Sequence, residues 1–327
     1  MNRSPLLAPV AFAGLLASTG QSAMGQTTIL NDMFTGGNTT GYTIAATKNA
    51  PAPSFASGHY TYGLPSTSSA FVETQARFTG TPVSLASSGD YINLRITFVD
   101  TSGVLAASGA NGSLNVGLYN TGGVDPLSTL AASGLSAATT YNRGGAQLWQ
   151  GYMGRVLQSG TAGIYTRSQQ NAVTDGTGND NNGNQDLLFT GAGTGTYKNP
   201  TGTPLGTQTA AVSLTAGSQY TLNYRITLSA PDQLTLAYDL YSGADTTGTS
   251  LFSQSATASG ANLLTTSFDG LALGWRYAGT TGDPASSLDL NQVLVTASVS
   301  AVPEPSSFTL FGLGLLGLPM MRRFCRR

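Results

Sequence analysis

Side chains able to do chemistry are scarce in this sequence. The body of the chain holds one glutamate, Glu73, one histidine, His59, and scattered aspartates; the single cysteine, Cys325, lies close to the C-terminus. Glycoside hydrolysis needs two carboxylates facing each other across a sugar ring, and no paired motif of the ExDxxE kind is present. One histidine with no cysteine in the body builds neither a Cys/His triad nor a multi-histidine zinc site, and no GxSxG elbow accompanies it. His59, in SGHYTYG, reads as a surface or turn residue. No catalytic set is expected, and an enzyme acting on polysaccharide would need two facing carboxylates that the sequence does not pair.

Binding chemistry has two candidate sets. Trp149, Tyr152, Trp275, Arg276 and Tyr277 supply aromatic faces with polar tips, suited to stacking on sugar rings beside Asn and Asp. The competing reading places Trp149 and Trp275 in the core, the commoner fate of a Trp in a β-sandwich. The loop VTDGTGNDNNGNQDLL gathers Asp175, Asp180 and Asp186 among several Asn residues, oxygen ligands of the kind Ca2+ prefers. It lacks the EF-hand glycine at the sixth position from Asp175 and the closing Glu. A turn-rich loop without metal is expected, and no other cofactor is implied.

The elements that must position these residues are strands. Charged residues are 9% of the 327 residues, against a usual share of about a quarter, and the formal net charge is −1. Nothing favours nucleic acid or another polyanion. Glu73, Glu304, Lys48 and Lys198 are the only glutamates and lysines, so the charged helix formers are nearly missing while Thr, Val, Tyr and Phe abound. With hydrophobic residues at 40%, the chain has the apolar surface to fold.

Period-two alternation confirms the type of element. In DYINLRITFVD, Ile92, Leu94, Ile96 and Phe98 share a face; in QYTLNYRITLS, Tyr220, Leu222, Tyr224, Ile226 and Leu228 do so. DQLTLAYDLYSG follows with Leu234, Leu236, Tyr238 and Leu240, across turn residues 229–232, and predicts a hairpin. Further strands are expected from Ala70, Ser113, Ala146, Asp186, Ser250, Phe268 and Ser287. INLRITF and LNYRITL echo each other, as neighbouring strands with similar surroundings would. No stretch serves as a crossover helix, so the sheets should be antiparallel. The ending, FDGLALGWRY, a Gly/Asp/Pro loop and then SLDLNQVLVTASV, resembles the last strands of concanavalin-like and laminin-G-like jelly rolls. That resemblance implies an all-β, antiparallel jelly-roll-like sandwich.

Both ends read as addresses. Arg3, an apolar run from Pro5 to Ala17 and small residues at Ala23 and Gly25 form a secretory signal pattern, too short to span a bilayer. At the other end stand Pro303, Glu304 and Pro305, an apolar stretch from Phe308 to Met321, and Arg322, Arg323, Arg326 and Arg327. The two prolines keep the triplet extended and accessible. The arginines hold the extreme C-terminus in the cytoplasm and leave the triplet outside. This order, over residues 302–327, resembles the PEP-CTERM sorting domain of Gram-negative bacteria. The resemblance implies recognition of Pro303, Glu304 and Pro305 by an exosortase and an association with exopolysaccharide or biofilm matrix.

The expected organisation is a signal peptide at 1–25, a β-sandwich domain at 26–299, a linker with the PEP motif at 300–307, a hydrophobic membrane segment, taken as a transmembrane helix, at 308–321 and an Arg-rich cytoplasmic tail at 322–327. The protein should be exported, held by the membrane before processing, and left at the cell surface or in the matrix. Three roles stay open: a structural or carbohydrate-binding matrix protein, a membrane-anchored surface protein without sugar binding, and a polysaccharide-acting enzyme.

Overall fold

The computed structural model describes residues 25–36, 41–48, 51–56, 58–64, 70–101, 112–126, 148–157, 161–169, 187–188, 204–210, 212, 214–277 and 286–300. Their regular structure is β-strand, apart from short 3-10 turns such as Gly260–Asn262. The expected all-β, antiparallel, jelly-roll-like sandwich is what the chain forms.

One sheet, here sheet A, joins β1 (Thr27–Asp32), β3 (Ser54–Ala56), β4 (His59–Leu64), β7 (Tyr91–Asp100), β12 (Gln219–Ala230), β13 (Gln233–Ser242), β14 (Ser250–Ser259) and β17 (Ser286–Ser298). Its order is β14-β13-β12-β7-β17-β4-β3, with β1 also paired to β17. Sheet B joins β2 (Tyr42–Lys48), β5 (Ala70–Arg77), β8 (Gly112–Asn120), β9 (Gln150–Leu157), β10 (Thr161–Arg167), β11 (Pro204–Ala210) and β16 (Gly270–Tyr277), in the order β11-β10-β9-β8-β16-β5-β2. A two-stranded ribbon of β6 (Val83–Ser84) and β15 (Ser267–Phe268) closes one side. Every pairing is antiparallel.

Alternation decides which face of each strand is buried. Ile92, Leu94, Ile96 and Phe98 of β7, and Tyr220, Leu222, Tyr224, Ile226 and Leu228 of β12, all point into the core. The two echoing segments are indeed neighbours, with Ile92 opposite Ile226 and Leu94 opposite Tyr224. The predicted hairpin is β12–β13, turning at Pro231 and Asp232. Sheet B answers with Val72, Leu114, Val116, Leu118, Tyr152, Val156, Leu271, Leu273 and Trp275. Burying each large aliphatic side chain contributes about 1.5–3 kcal/mol.

Two details let the faces meet. In β17 the register slips between Leu290 and Gln292, so Leu288 and Leu290 before the bulge and Val293, Val295 and Ala297 after it all face inward. Without that extra residue one half of the strand would expose its apolar set. In β9, Gly154 has no side chain where the Tyr238 ring of sheet A arrives: a Cβ there would lie 2.5 Å from Tyr238 Cε2.

Some expectations need adjustment. Of the strand expected from Asp186, only Leu187 and Leu188 are described and both are bends, and Trp149 precedes β9 rather than lying in it. His59 opens a strand, opposite Ala56 of β3. The short strands β1 to β4 and β10 to β11, rich in Thr, Gly and Tyr, had no clear alternation to announce them. Among the described residues no helix is long and apolar enough to cross a membrane; segments 1–24 and 301–327, with the signal peptide, the membrane segment and Arg322, Arg323, Arg326 and Arg327, lie outside the described residues.

Candidate functional site

Sheet B turns a second, outward face away from the core, and it carries buried polar residues, Glu73, Gln75 and Asn115 among them. The pairing places Gly274 of β16 between Glu73 of β5 and Asn115 of β8. A glycine between two polar side chains leaves a shallow trough, and the backbone of Leu187 and Leu188 fills it. Glu73 Oε1 accepts the Leu187 N–H at 3.0 Å and the Gln75 amide N–H at 2.8 Å. Tyr119 donates its hydroxyl to the Leu187 carbonyl at 3.0 Å, and Asn115 Nδ2 donates to the Leu188 carbonyl at 3.4 Å. Tyr119 reaches that carbonyl because its ring lies over Gly117, where a Cβ would stand 2.3 Å from the hydroxyl.

Glu73, Gln75, Asn115, Leu187 and Leu188 are all 0% exposed. Around them, Tyr119, Trp149, Met153, Tyr165 and Ala272 make a second apolar cluster with the two leucines. The arrangement satisfies the backbone of an irregular segment by side chains, as a buried loop requires. Chemically it is a holder for the chain's own peptide groups. Sequence alternation in AFVETQARF puts Glu73, Gln75 and Arg77 on one face, but nothing in it reveals the partner more than a hundred residues away.

The candidate sugar-stacking aromatics are not on a surface. Trp149, Tyr152 and Trp275 are each 0% exposed. Trp275 is on the inward face of β16, in the main core. Trp149 packs over Gly270 and donates its indole N–H to the Val124 carbonyl at 2.9 Å. The Tyr152 hydroxyl accepts the Leu264 N–H at 2.8 Å and donates to the Asn262 carbonyl at 3.2 Å. These three are therefore corrected from a binding platform to packing residues: Tyr152 and Trp275 are covered between the sheets and Trp149 in the second cluster on the outer face of sheet B, where large apolar area is removed from water. The side chains of Arg276 and Tyr277 and the loop with Asp175, Asp180 and Asp186 lie outside the described residues. Among the described residues no group of three or more His, Cys, Asp or Glu is placed to hold a metal ion.

Sheet A presents the open polar face. Across its strands stand Ser253, Asp239, Asn223 and Arg95 in one row, and Ser255, Ala237, Arg225 and Asn93 in the next. Arg225 is exposed and lies over the Tyr91 ring, 3.6 Å from its centroid. Arg95 Nη2 donates to Gln292 Oε1 at 3.3 Å, and Gln292 donates in turn to Asn31 Oδ1 at 2.7 Å. Hydroxyl, amide and balanced charge predominate here.

Residues 301–327 match the family described as "PEP-CTERM protein-sorting motif". The tail is such a motif, and Pro303, Glu304 and Pro305 fall within it. No curated protein matches the chain. Among solved structures it is similar to the endo-1,3-beta-glucanase from Streptomyces sioyaensis, at 12% identity and a TM-score of 0.44, covering 90% of this chain and 100% of that one. It is also similar to peanut lectin, at 10% identity and a TM-score of 0.43, covering 85% and 100%. For lectin II from Ulex europaeus the figures are 11%, 0.39, 79% and 92%. Nothing about ligand or activity follows from likenesses of this degree.

Proposed function

We propose that the chain is an exported protein whose tail delivers it to an exosortase, and whose β-sandwich stays at the cell surface or in the exopolysaccharide matrix as a structural component. The observation that carries this reading is the sorting motif at 301–327, which follows closely on the last strand of the sandwich, β17, ending at Ser298. In this reading residues 1–25 are removed on export, 308–321 hold the precursor in the membrane, and Arg322, Arg323, Arg326 and Arg327 keep its end in the cytoplasm. Exosortase is the processing partner.

A structural rather than enzymatic body is supported by the state of Glu73, the only glutamate before the tail. It is buried and engaged with the Gln75 amide and the Leu187 N–H. Intact-mass measurement of the protein from its native host, with and without the exosortase, tests the sorting reading. Loss of the leader and of the tail beyond the PEP triplet only in the exosortase-bearing strain is expected; a tail retained in both strains overturns it in favour of an ordinary anchored surface protein.

Carbohydrate binding is a second reading, favoured by one observation: the stack of the exposed Arg225 on the half-buried Tyr91 ring, beside Asn93 and Asn223 on the outer face of sheet A. Retention of the wild-type protein, but not of Tyr91→Ala, on purified host exopolysaccharide supports it. Equal retention of both, or of neither, removes this face from consideration.

A further inference from the structure

The point where the sandwich gives way to the sorting tail is held by a single buried carboxylate. Asp90, 0% exposed, immediately precedes β7. Its Oδ1 accepts the Ser300 backbone N–H at 2.7 Å and the Ser300 hydroxyl at 2.9 Å, across 210 residues of sequence. Its Oδ2 accepts the N–H groups of Ala86 and Ser87, both at 2.9 Å. The turn that carries it is itself fixed. Leu228 N–H donates to the Asp90 carbonyl at 2.9 Å, Gly89 N–H donates to the Leu228 carbonyl at 2.8 Å, and the Ser88 hydroxyl donates to the Ser229 carbonyl at 3.0 Å. Gly89, at φ 94, takes the left-handed conformation the turn needs. Burial alone would raise the Asp90 pKa, but the hydrogen bonds from Ser300, Ser87 and Ala86 outweigh it, and the carboxyl titrates below its ordinary 3.8.

Ser300 lies beyond the end of β17 and its N–H is outside the sheet ladder, so the sandwich does not need this bond to complete its pairing. What the bond does fix is the origin of the tail. Only Ala301 and Val302 separate Ser300 from Pro303. At about 3.6 Å per extended residue, Pro303, where the triplet begins, can stand no more than about 11 Å from the clamp. Were the chain free from Ser298 onward, the reach to Pro303 would be about 18 Å.

We propose that Asp90 is a positioning residue for tail processing: by clamping Ser300 it shortens the free chain before the PEP triplet, so that the processing enzyme must approach close to the 87–89 turn and the exposed Val299. This rests on the sorting reading above. Removing the tail breaks one peptide bond beyond Ser300; its acyl carbon passes to water or to an acceptor amine, and the leaving nitrogen takes the proton that nucleophile gives up. Asp90 takes no part in that step. It limits the approach of a bulky enzyme, and release of the clamp lengthens the tether between the triplet and the folded domain and so eases that approach.

The test uses the full chain in its exosortase-bearing host, with three variants: Asp90→Asn, Ser300→Pro, and a short Gly/Ser spacer inserted after Ser300. Ser300→Pro removes the backbone donor and the hydroxyl while leaving the Asp90 turn intact, so it stands if Asp90→Asn folds poorly. The tail should be lost about three-fold faster in pulse-chase for each variant, with no further gain when the spacer is combined with either substitution. In the purified chain, hydrogen exchange at the Ser300 amide should be about ten-fold faster in Asp90→Asn. Tail loss at the wild-type rate or slower, with exchange accelerated, overturns the positioning role, and unchanged exchange overturns the clamp. A wild-type tail retained despite the exosortase overturns the sorting reading and the role together, and is told apart by an exchange result that still shows the clamp.

Discussion

Glu73 Oε1 accepts the backbone N–H of Leu187 at 3.0 Å on the outward face of sheet B. A carboxylate committed to a peptide group, beside a second bond from Gln75 at 2.8 Å, has the geometry of a structural acceptor. Glu73→Ala should therefore lower stability by about 2 kcal/mol, the cost of leaving a buried donor without its acceptor. Chemical denaturation of the purified protein measures this. The wild type should release no reducing ends from the host polysaccharide. Release that disappears in Glu73→Gln with the fold intact would make Glu73 catalytic and the structural account wrong.

The two tryptophans should behave as core residues. Trp275→Ala and Trp149→Ala should each cost about 3–5 kcal/mol, since each empties a fully buried indole site. The fraction that remains folded should be retained on exopolysaccharide as well as wild type. A variant of normal stability with impaired retention would return that indole to a binding role.

How much of this was readable beforehand differs by feature. The tail was legible because a sorting signal is a linear pattern, and the reading of 302–327 agrees with the motif at 301–327. Strands β5, β7, β8, β12, β13, β14, β16 and β17 were legible because one face of each is apolar. The bulge between Leu290 and Gln292 was not, because one extra residue changes the parity of a pattern without changing its composition. The fate of Trp149, Tyr152 and Trp275 was open for a similar reason: amphipathic aromatics suit a core and a sugar site equally. The pairs Glu73–Leu187 and Asp90–Ser300 join residues 114 and 210 positions apart, a separation at which sequence spacing carries no information.

Alkaline pH should unfold the protein through its buried tyrosines. Desolvation raises Tyr62, Tyr224 and Tyr238 well above the ordinary 10.0, and pushes Tyr60 up to about 12 despite hydrogen bonds with Thr74 and Tyr62. A group whose folded pKa is raised contributes stability that is complete below its unfolded pKa, here 10.0, and is lost as pH climbs toward the folded value. Between these limits the unfolded chain has released protons that the native state retains, so stability falls by about 1.4 kcal/mol per pH unit for each such tyrosine. Stability should be level to about pH 9 and collapse above about pH 10–11. Tyrosinate absorbance and loss of circular dichroism should rise together; ionisation of these phenols with the sandwich intact would contradict their burial.

Asp269 is a fully buried carboxylate between β15 and β16. Its Oδ1 accepts the Thr121 N–H at 2.7 Å, and its Oδ2 accepts the Thr121 hydroxyl at 2.7 Å and Arg77 Nε at 3.3 Å. It thereby ties the ends of β5, β8 and β16, three adjacent strands of sheet B. The Arg77 pair alone is a weak argument for stability, because Arg77 keeps contact with water and also meets the exposed Asp125 at 3.3 Å. The Thr121 bonds matter more, since a buried N–H left without its acceptor is penalised in full. Asp269→Ala should therefore cost about 3 kcal/mol, and Arg77→Ala about 1 kcal/mol or less. Equilibrium unfolding of both variants and of the double mutant gives the coupling directly. If Arg77→Ala proves as damaging as Asp269→Ala, the ion pair and not the Thr121 clamp holds this corner of the sandwich.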